Sequence, residues 1–215
     1  MDAPAHRLNT SGVSEQPTFL GEPPANEATT QAYEADRESD GYVGNLTRLW
    51  SWRPDLYESF VAQRTHLMAS STLTDRDWAV LVTASAAQRG DSYCSLAWGP
   101  RLAKLSDDET AAQVIAGTLA SRLTERERAL AAWARQVVHD PNATTEREVE
   151  RLREVGLDDR QIFEATTFIA LRLAWSTVND ALGAAPDKQL ADAAPEPVRT
   201  AVSWGRQPSQ TPSSS

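Results

Sequence analysis

The chain has 215 residues, of which 40% are hydrophobic, 24% are charged and one is cysteine, and its net charge is −9. That length gives one domain of ordinary size plus tails, the lone cysteine excludes an internal disulfide, and the acidic balance repels nucleic-acid phosphates and anionic membranes. A mean hydropathy of −0.47 argues against a membrane span, and the most apolar stretch, Phe168 to Val178, is interrupted by Arg172, as in a buried helix.

Residues 1–40 are rich in Pro, Ser, Thr, Ala and Glu and lack apolar periodicity, so they read as a disordered N-terminal tail. They show no basic-then-apolar leader, and a cytoplasmic location is expected. A helical domain is predicted over 41–187. Pro54 suits the first turn of a helix reaching about Ala69. Thr74 opens the next, with Asp75 and Asp77 at its positive end. Capping boxes at Ser106 with Glu109, Thr124 with Glu127 and Thr145 with Glu148, and a looser Asp158 with Gln161, mark further helix starts. Leu130, Trp133, Ala134 and Val137 recur at helical spacing, as do Val149, Leu152 and Val155. Gly156 ends that helix, and a long one follows from about Ile162 to Leu182, stopped by Gly183. Residues 188–215 read as a C-terminal extension that becomes a disordered tail after Trp204. No strand alternation of any strength is present, so the predicted class is all-α, with about seven or eight helices. Glu146–Ala165 has a helix-turn-helix outline but little positive charge in its second helix, and reads as two packed helices.

Two segments carry a family likeness. One is Leu73 to Ala103, with Asp91-Ser-Tyr-Cys94 at a helix start. The other runs from Leu123 through Asp140-Pro141, then Val149 to Ala165 and Asn179 to Gly183. Together they resemble the carboxymuconolactone decarboxylase / alkylhydroperoxidase family, in its peroxidase-related branch. The resemblance implies an alkylhydroperoxidase-like helical bundle and a thiol-dependent peroxidase or peroxiredoxin-type activity. It also implies a homo-oligomer, a small-molecule substrate, an external thiol reductant and no cofactor. That family opens a central helix with Cys-x-x-Cys-x-x-x-His. The second cysteine of the motif falls on Cys94, the first on Asp91, and the histidine on Trp98. The family's upstream acid/base glutamate falls on Ala79, and Asp77, two residues away, points to another helix face.

A two-thiol cycle needs a second cysteine to resolve the sulfenic acid, and this chain has none. What remains is a helix face carrying Asp91, Cys94, Trp98 and Arg101. Cys94 in a first helical turn is expected to have its thiol pKa lowered by the amides there, with Asp91 opposing. Asp91 reads most simply as a helix cap, and Cys94 most simply as a small buried hydrophobe, with the motif position pointing to the nucleophile. Trp98 reads as a core or pocket-filling aromatic, and Tyr93 as packing or as a hydroxyl donor to a bound oxygen. Arg172, a charge in an apolar helix, should have a partner. His6, His66 and His139 share no ligand spacing with Cys94 or an acid, so no metal site is expected. Trp50, Trp52, Trp78, Trp133 and Trp175 read as core or subunit-interface anchors.

Three functions fit these residues. The first is a one-cysteine peroxidase-like oxidoreductase using Cys94. The second is a decarboxylase-like lyase acting on a small carboxylate or lactone through Asp91, Arg101 and Arg172. The third is a catalytically degenerate ligand-binding or scaffold protein.

Overall fold

A computed structural model describes residues 17–118 and 122–210. Among these residues the fold is all-α. In chain order the helices are α1 (Glu27–Asp40), α2 (Asn45–Trp50), α3 (Pro54–Ala69), α4 (Asp75–Arg89), α5 (Ser92–Leu105), α6 (Asp108–Ala116), α7 (Glu125–His139), α8 (Glu146–Glu154), α9 (Asp159–Ala181), α10 (Lys188–Ala193) and α11 (Glu196–Ala201), with a 3-10 turn at Pro141–Ala143. No described helix is long and apolar enough to cross a membrane.

Helix α4 is the centre. Every residue from Asp77 to Ala86 is buried, as expected for a helix with small and branched apolar side chains all round. It packs against α7, α5, α9 and α6. The Trp78 and Phe168 rings meet at 4.8 Å between centroids, joining α4 to α9. At Gly99 in α5, an added Cβ would lie 2.6 Å from Val198 of α11, so the glycine lets α11 close over α5.

The helix starts follow the capping logic. Thr74 and Asp77, Thr124 and Glu127, and Asp158 and Gln161 form reciprocal boxes, and Glu148 accepts from the Thr145 amide at 2.8 Å. Ser106 is not a cap. Asp107 takes that role and accepts from the Thr110 amide at 2.9 Å, because a carboxylate one residue later reaches the free amides better than the serine. Two of the boxes are also cross-linked. Arg76 pairs with Glu127 and Arg126 with Asp77, so each cap acid of α4 and α7 also receives the other helix's arginine. The stretches Leu73-Thr-Asp-Arg-Asp and Leu123-Thr-Glu-Arg-Glu repeat one another in the sequence, and the pairing of the two helices gives that repeat its physical sense. Glu127→Ala removes the acid of the α7 capping box and the carboxylate that pairs with Arg76, and should lower stability by about 2 kcal/mol in urea unfolding.

The chain ends depart from expectation. Residues 17–40, expected as part of a disordered tail, are structured. The Phe19 amide donates to Leu182 O at 2.8 Å, and Asn26 caps α1 by accepting from the Thr29 amide. Among α1 residues only Thr29 is buried, so caps and polar contacts hold this helix, and hydrophobic periodicity is blind to it. Residues 205–210, also expected as tail, fold back. Ser92 Oγ donates to Arg206 O at 2.8 Å and the Ser209 amide donates to Pro186 O at 2.9 Å. The expected tails at 1–16 and 211–215 lie outside the described residues.

Candidate active site

The sulfur of Cys94 lies where α4, α5 and α9 meet. Gly90 adopts φ +77 at the end of α4, a left-handed turn that glycine makes without strain. Asp91 then caps α5, its Oδ1 accepting from the Cys94 amide at 2.8 Å. The cap reading of Asp91 therefore describes one of its oxygens. The other, Oδ2, is buried with no hydrogen-bond partner among the described residues.

Arg172 of α9 has the partner its position demanded, and that partner is not a carboxylate. Its Nη2 lies 3.1 Å from Cys94 Sγ. Ser176, one helical turn further, presents Oγ at 4.0 Å from the same sulfur. The Arg172 guanidinium also sits 5.6 Å from the centre of the Trp98 ring, and that of Arg101 4.6 Å from it. Trp98 is thus half-buried beneath two cations, more than a simple core filler. Cys94, Asp91, Trp98, Arg101 and Arg172 are brought together by this arrangement.

Tyr93 is not. Its buried hydroxyl donates to Asp187, which also accepts from the Asn45 amide at 3.0 Å. That bond commits the hydroxyl away from any bound oxygen and ties α5 to the segment after α9. Asp187 and Ser176 carried no motif, although Ser176 could have been found as the i+4 neighbour of Arg172. Asp77 is occupied by its cap and by Arg126.

The expected lowering of the thiol pKa does not occur. Burial pushes the Cys94 thiol up to about 12, Arg172 pulls it down, and Asp91 adds to the rise. Desolvation wins because Cys94 is only 2% exposed. A crevice of about 200 Å³ adjoins the sulfur, bounded by Val82, Ser85, Ala86, Arg89, Arg172, Leu173 and Ser176, but no part of it is wide enough for a water molecule. On the other face of Arg172 lies an open groove.

The histidines are elsewhere: His66 in the last turn of α3 and His139 at the end of α7, while His6 lies outside the described residues. No cluster of His, Cys, Asp or Glu among the described residues could hold a metal ion. Of the tryptophans, Trp50, Trp78 and Trp133 are buried and Trp52 is 43% exposed. Trp175 stacks on Trp50 at 4.3 Å.

No protein-family model matches the chain, and no curated protein matches it. Solved structures do. An uncharacterized peroxidase-related protein from Ralstonia eutropha JMP134, with an alkylhydroperoxidase AhpD core, superposes with a TM-score of 0.71 at 23% identity, over 81% of this chain and 95% of that one. A peroxidase-related protein from Silicibacter sp. TM1040 gives 0.72 at 21% identity, over 84% and 97%. The debrominase Bmp8, in a cysteine-to-alanine variant with 2,3,4-tribromopyrrole, gives 0.65 at 17%, over 80% and 94%. At these identities the likeness establishes the fold: this chain has the all-helical alkylhydroperoxidase-like fold.

Proposed function

We propose that this chain is a single-cysteine, thiol-dependent peroxidase-like oxidoreductase, with Cys94 as its nucleophile and Arg172 as its cationic partner. The observation that carries the reading is the Arg172 guanidinium, buried, 3.1 Å from Sγ and without a carboxylate partner among the described residues. A cation so placed stabilises a thiolate, and it can also hold the negative charge that develops on a leaving oxygen.

The cycle balances with two external thiols. Cys94 gives its proton to Asp91 Oδ2, which has no other hydrogen-bond partner among the described residues. The thiolate attacks one peroxide oxygen, the O–O bond breaks, and the alkoxide leaves and takes up the proton as an alcohol. Cys94 is then a sulfenic acid. An external thiol condenses with it, releasing water and forming a mixed disulfide. A second external thiol attacks that bond, leaving a small disulfide and the reduced Cys94 thiol. External thiols are required because the chain has no second cysteine.

The fold alone does not choose the electrophile, since a debrominase shares it. A second reading, a ligand-binding protein without catalysis, is favoured by the tight packing around Sγ. One experiment separates the two. The protein is given cumene hydroperoxide and dithiothreitol, peroxide loss is followed, and sulfenic acid is trapped with dimedone for mass spectrometry. Peroxide should be consumed with dimedone on Cys94, Cys94→Ser should abolish both, and Arg172→Met should slow consumption at least about tenfold, in line with losing one charge-stabilising group. Equal consumption by wild type and Cys94→Ser would leave the binding reading in its place.

A homo-oligomer remains part of the proposal. Trp52, Leu56 and Tyr57 are each at least 40% exposed around the start of α3, and exposed apolar clusters mark contact surfaces. Light scattering should give a multiple of 23.5 kDa, and a monomer mass would remove this element.

A further inference from the structure

We infer that a hollow between α1, α2 and the start of α3 binds a small quaternary ammonium cation. Ala32, Ala35 and Asp36 of α1 face Trp50 of α2 and Pro54 and Tyr57 of α3 across it, and it encloses about 440 Å³ including its mouth. That lies within the range of small-ligand sites. Its interior has room for several water molecules, which neither hollow beside Arg172 has.

The hollow is negative. Among the described residues, Asp36 is the only charged one that lines it. The Gly44 amide fixes this carboxylate by donating to Oδ2 at 2.9 Å, and Oδ1 accepts no hydrogen bond among the described residues. The nearby cations do not neutralise it. Arg48 is paired with Glu22 and Arg53 with Asp55, and Arg37, next to Asp36 in α1, leaves from another face of the helix. Tyr42 senses the same field: burial first, then the charges of Asp187, Asp40 and Asp36, raise the pKa of its hydroxyl.

The walls select the kind of cation. Trp50 is held flat against Trp175, 4.3 Å away at an interplanar angle of 8°, and its ring centre lies 6.3 Å from that of Tyr57. Two electron-rich rings beside a carboxylate attract a cation. The other polar side chains of the hollow are Thr47 and Ser51, and the Ser51 hydroxyl already donates to Thr47 O at 2.7 Å. A primary ammonium brings three N–H donors that need acceptors. A quaternary ammonium brings none, and its methyl groups pack on the alanine, proline and ring surfaces. The site is independent of the thiol reading, because none of its residues lines the Cys94 crevice. Trp52 and Leu56 do not line it either, so a contact between copies through them need not cover it.

Choline is the probe, with 3,3-dimethylbutan-1-ol as its uncharged isostere and ethanolamine as the primary ammonium of the same length, each titrated against the full chain by protein NMR. Choline should bind saturably and at least about tenfold tighter than the uncharged alcohol, since the ring and carboxylate attractions both need the charge. It should bind at least about threefold tighter than ethanolamine, whose donors find too few acceptors. Asp36→Asn keeps an oxygen for the Gly44 amide but loses the charge, and should weaken choline at least about fivefold with an unchanged thermal melt. Tyr57→Leu, at a position 40% exposed, removes one ring and should weaken choline at least about threefold. Where one variant melts early, the other decides. Equal binding of choline and the alcohol, tighter binding of ethanolamine, no saturable shift with choline, or full choline affinity in a folded variant would each overturn the proposal.

Discussion

At pH 8, iodoacetamide should alkylate Cys94 in the folded protein about a thousandfold more slowly than in the guanidinium-unfolded chain. The reagent needs thiolate. An unfolded cysteine with a pKa near 8.5 is roughly one-fifth ionised at that pH, whereas a thiol pushed up to about 12 is almost wholly protonated. The crevice beside Sγ has no room for a water molecule, so access slows the reaction further. The same shift has a consequence for stability. Native Cys94 keeps its proton to higher pH than the unfolded chain does, so its contribution is present below about pH 8.5 and is lost as pH rises toward 12. Wild type should therefore lose stability relative to Cys94→Ser between pH 8.5 and 10 in urea titrations. Alkylation at equal rates in both states, or parallel pH profiles, would show that burial does not control this thiol.

Phe168→Ala should cost about 3–5 kcal/mol of folding stability, the usual range for deleting a buried ring. Phe168 is 0% exposed and packs on Trp78, which is 2% exposed. The cavity would open between α4 and α9, the two helices that bring Ser85 and Arg172 to the crevice. In a chain of this size the melting temperature should fall by roughly 10 °C, at 2–4 °C per kcal/mol. A loss below about 1 kcal/mol in calorimetry would mean that α9 repacks and does not define the site rigidly.

Much of the architecture was legible from local signals. Pro54, Thr74, Thr124 and Asp158 each stand one residue before or at a helix start, and Gly156 and Gly183 take positive φ at helix ends. These features act within four residues, so a single sequence reveals them. Helix α1 was not legible, because it buries little apolar surface and owes its order to Asn26, to Asp36 accepting from the Gly44 amide, and to the pairing of Glu22 with Arg48. Ser106 gave way to Asp107 because two adjacent residues could each cap, and sequence does not rank them. The site was half legible. Position in a motif singled out Asp91, Cys94 and Trp98, and an unexplained charge singled out Arg172. The bond between Arg172 and Cys94 spans 78 residues, and the commitment of Tyr93 to Asp187 spans 94. No local pattern records such pairings. The sign of the thiol shift was missed for the same reason: the helix start was visible, but the burial that outweighs it is a tertiary property.

The most direct test of the paired roles of Cys94 and Arg172 compares two reagents on one sulfur. Folding should protect Cys94 from cumene hydroperoxide far less than from iodoacetamide, each measured against the unfolded chain, because Arg172 can hold the strongly basic alkoxide that leaves from the peroxide, whereas iodide leaves readily without a cation. A protection ratio at least tenfold smaller for the peroxide, collapsing in Arg172→Met, is the predicted result. Equal protection against both reagents would make Cys94 an inert buried side chain.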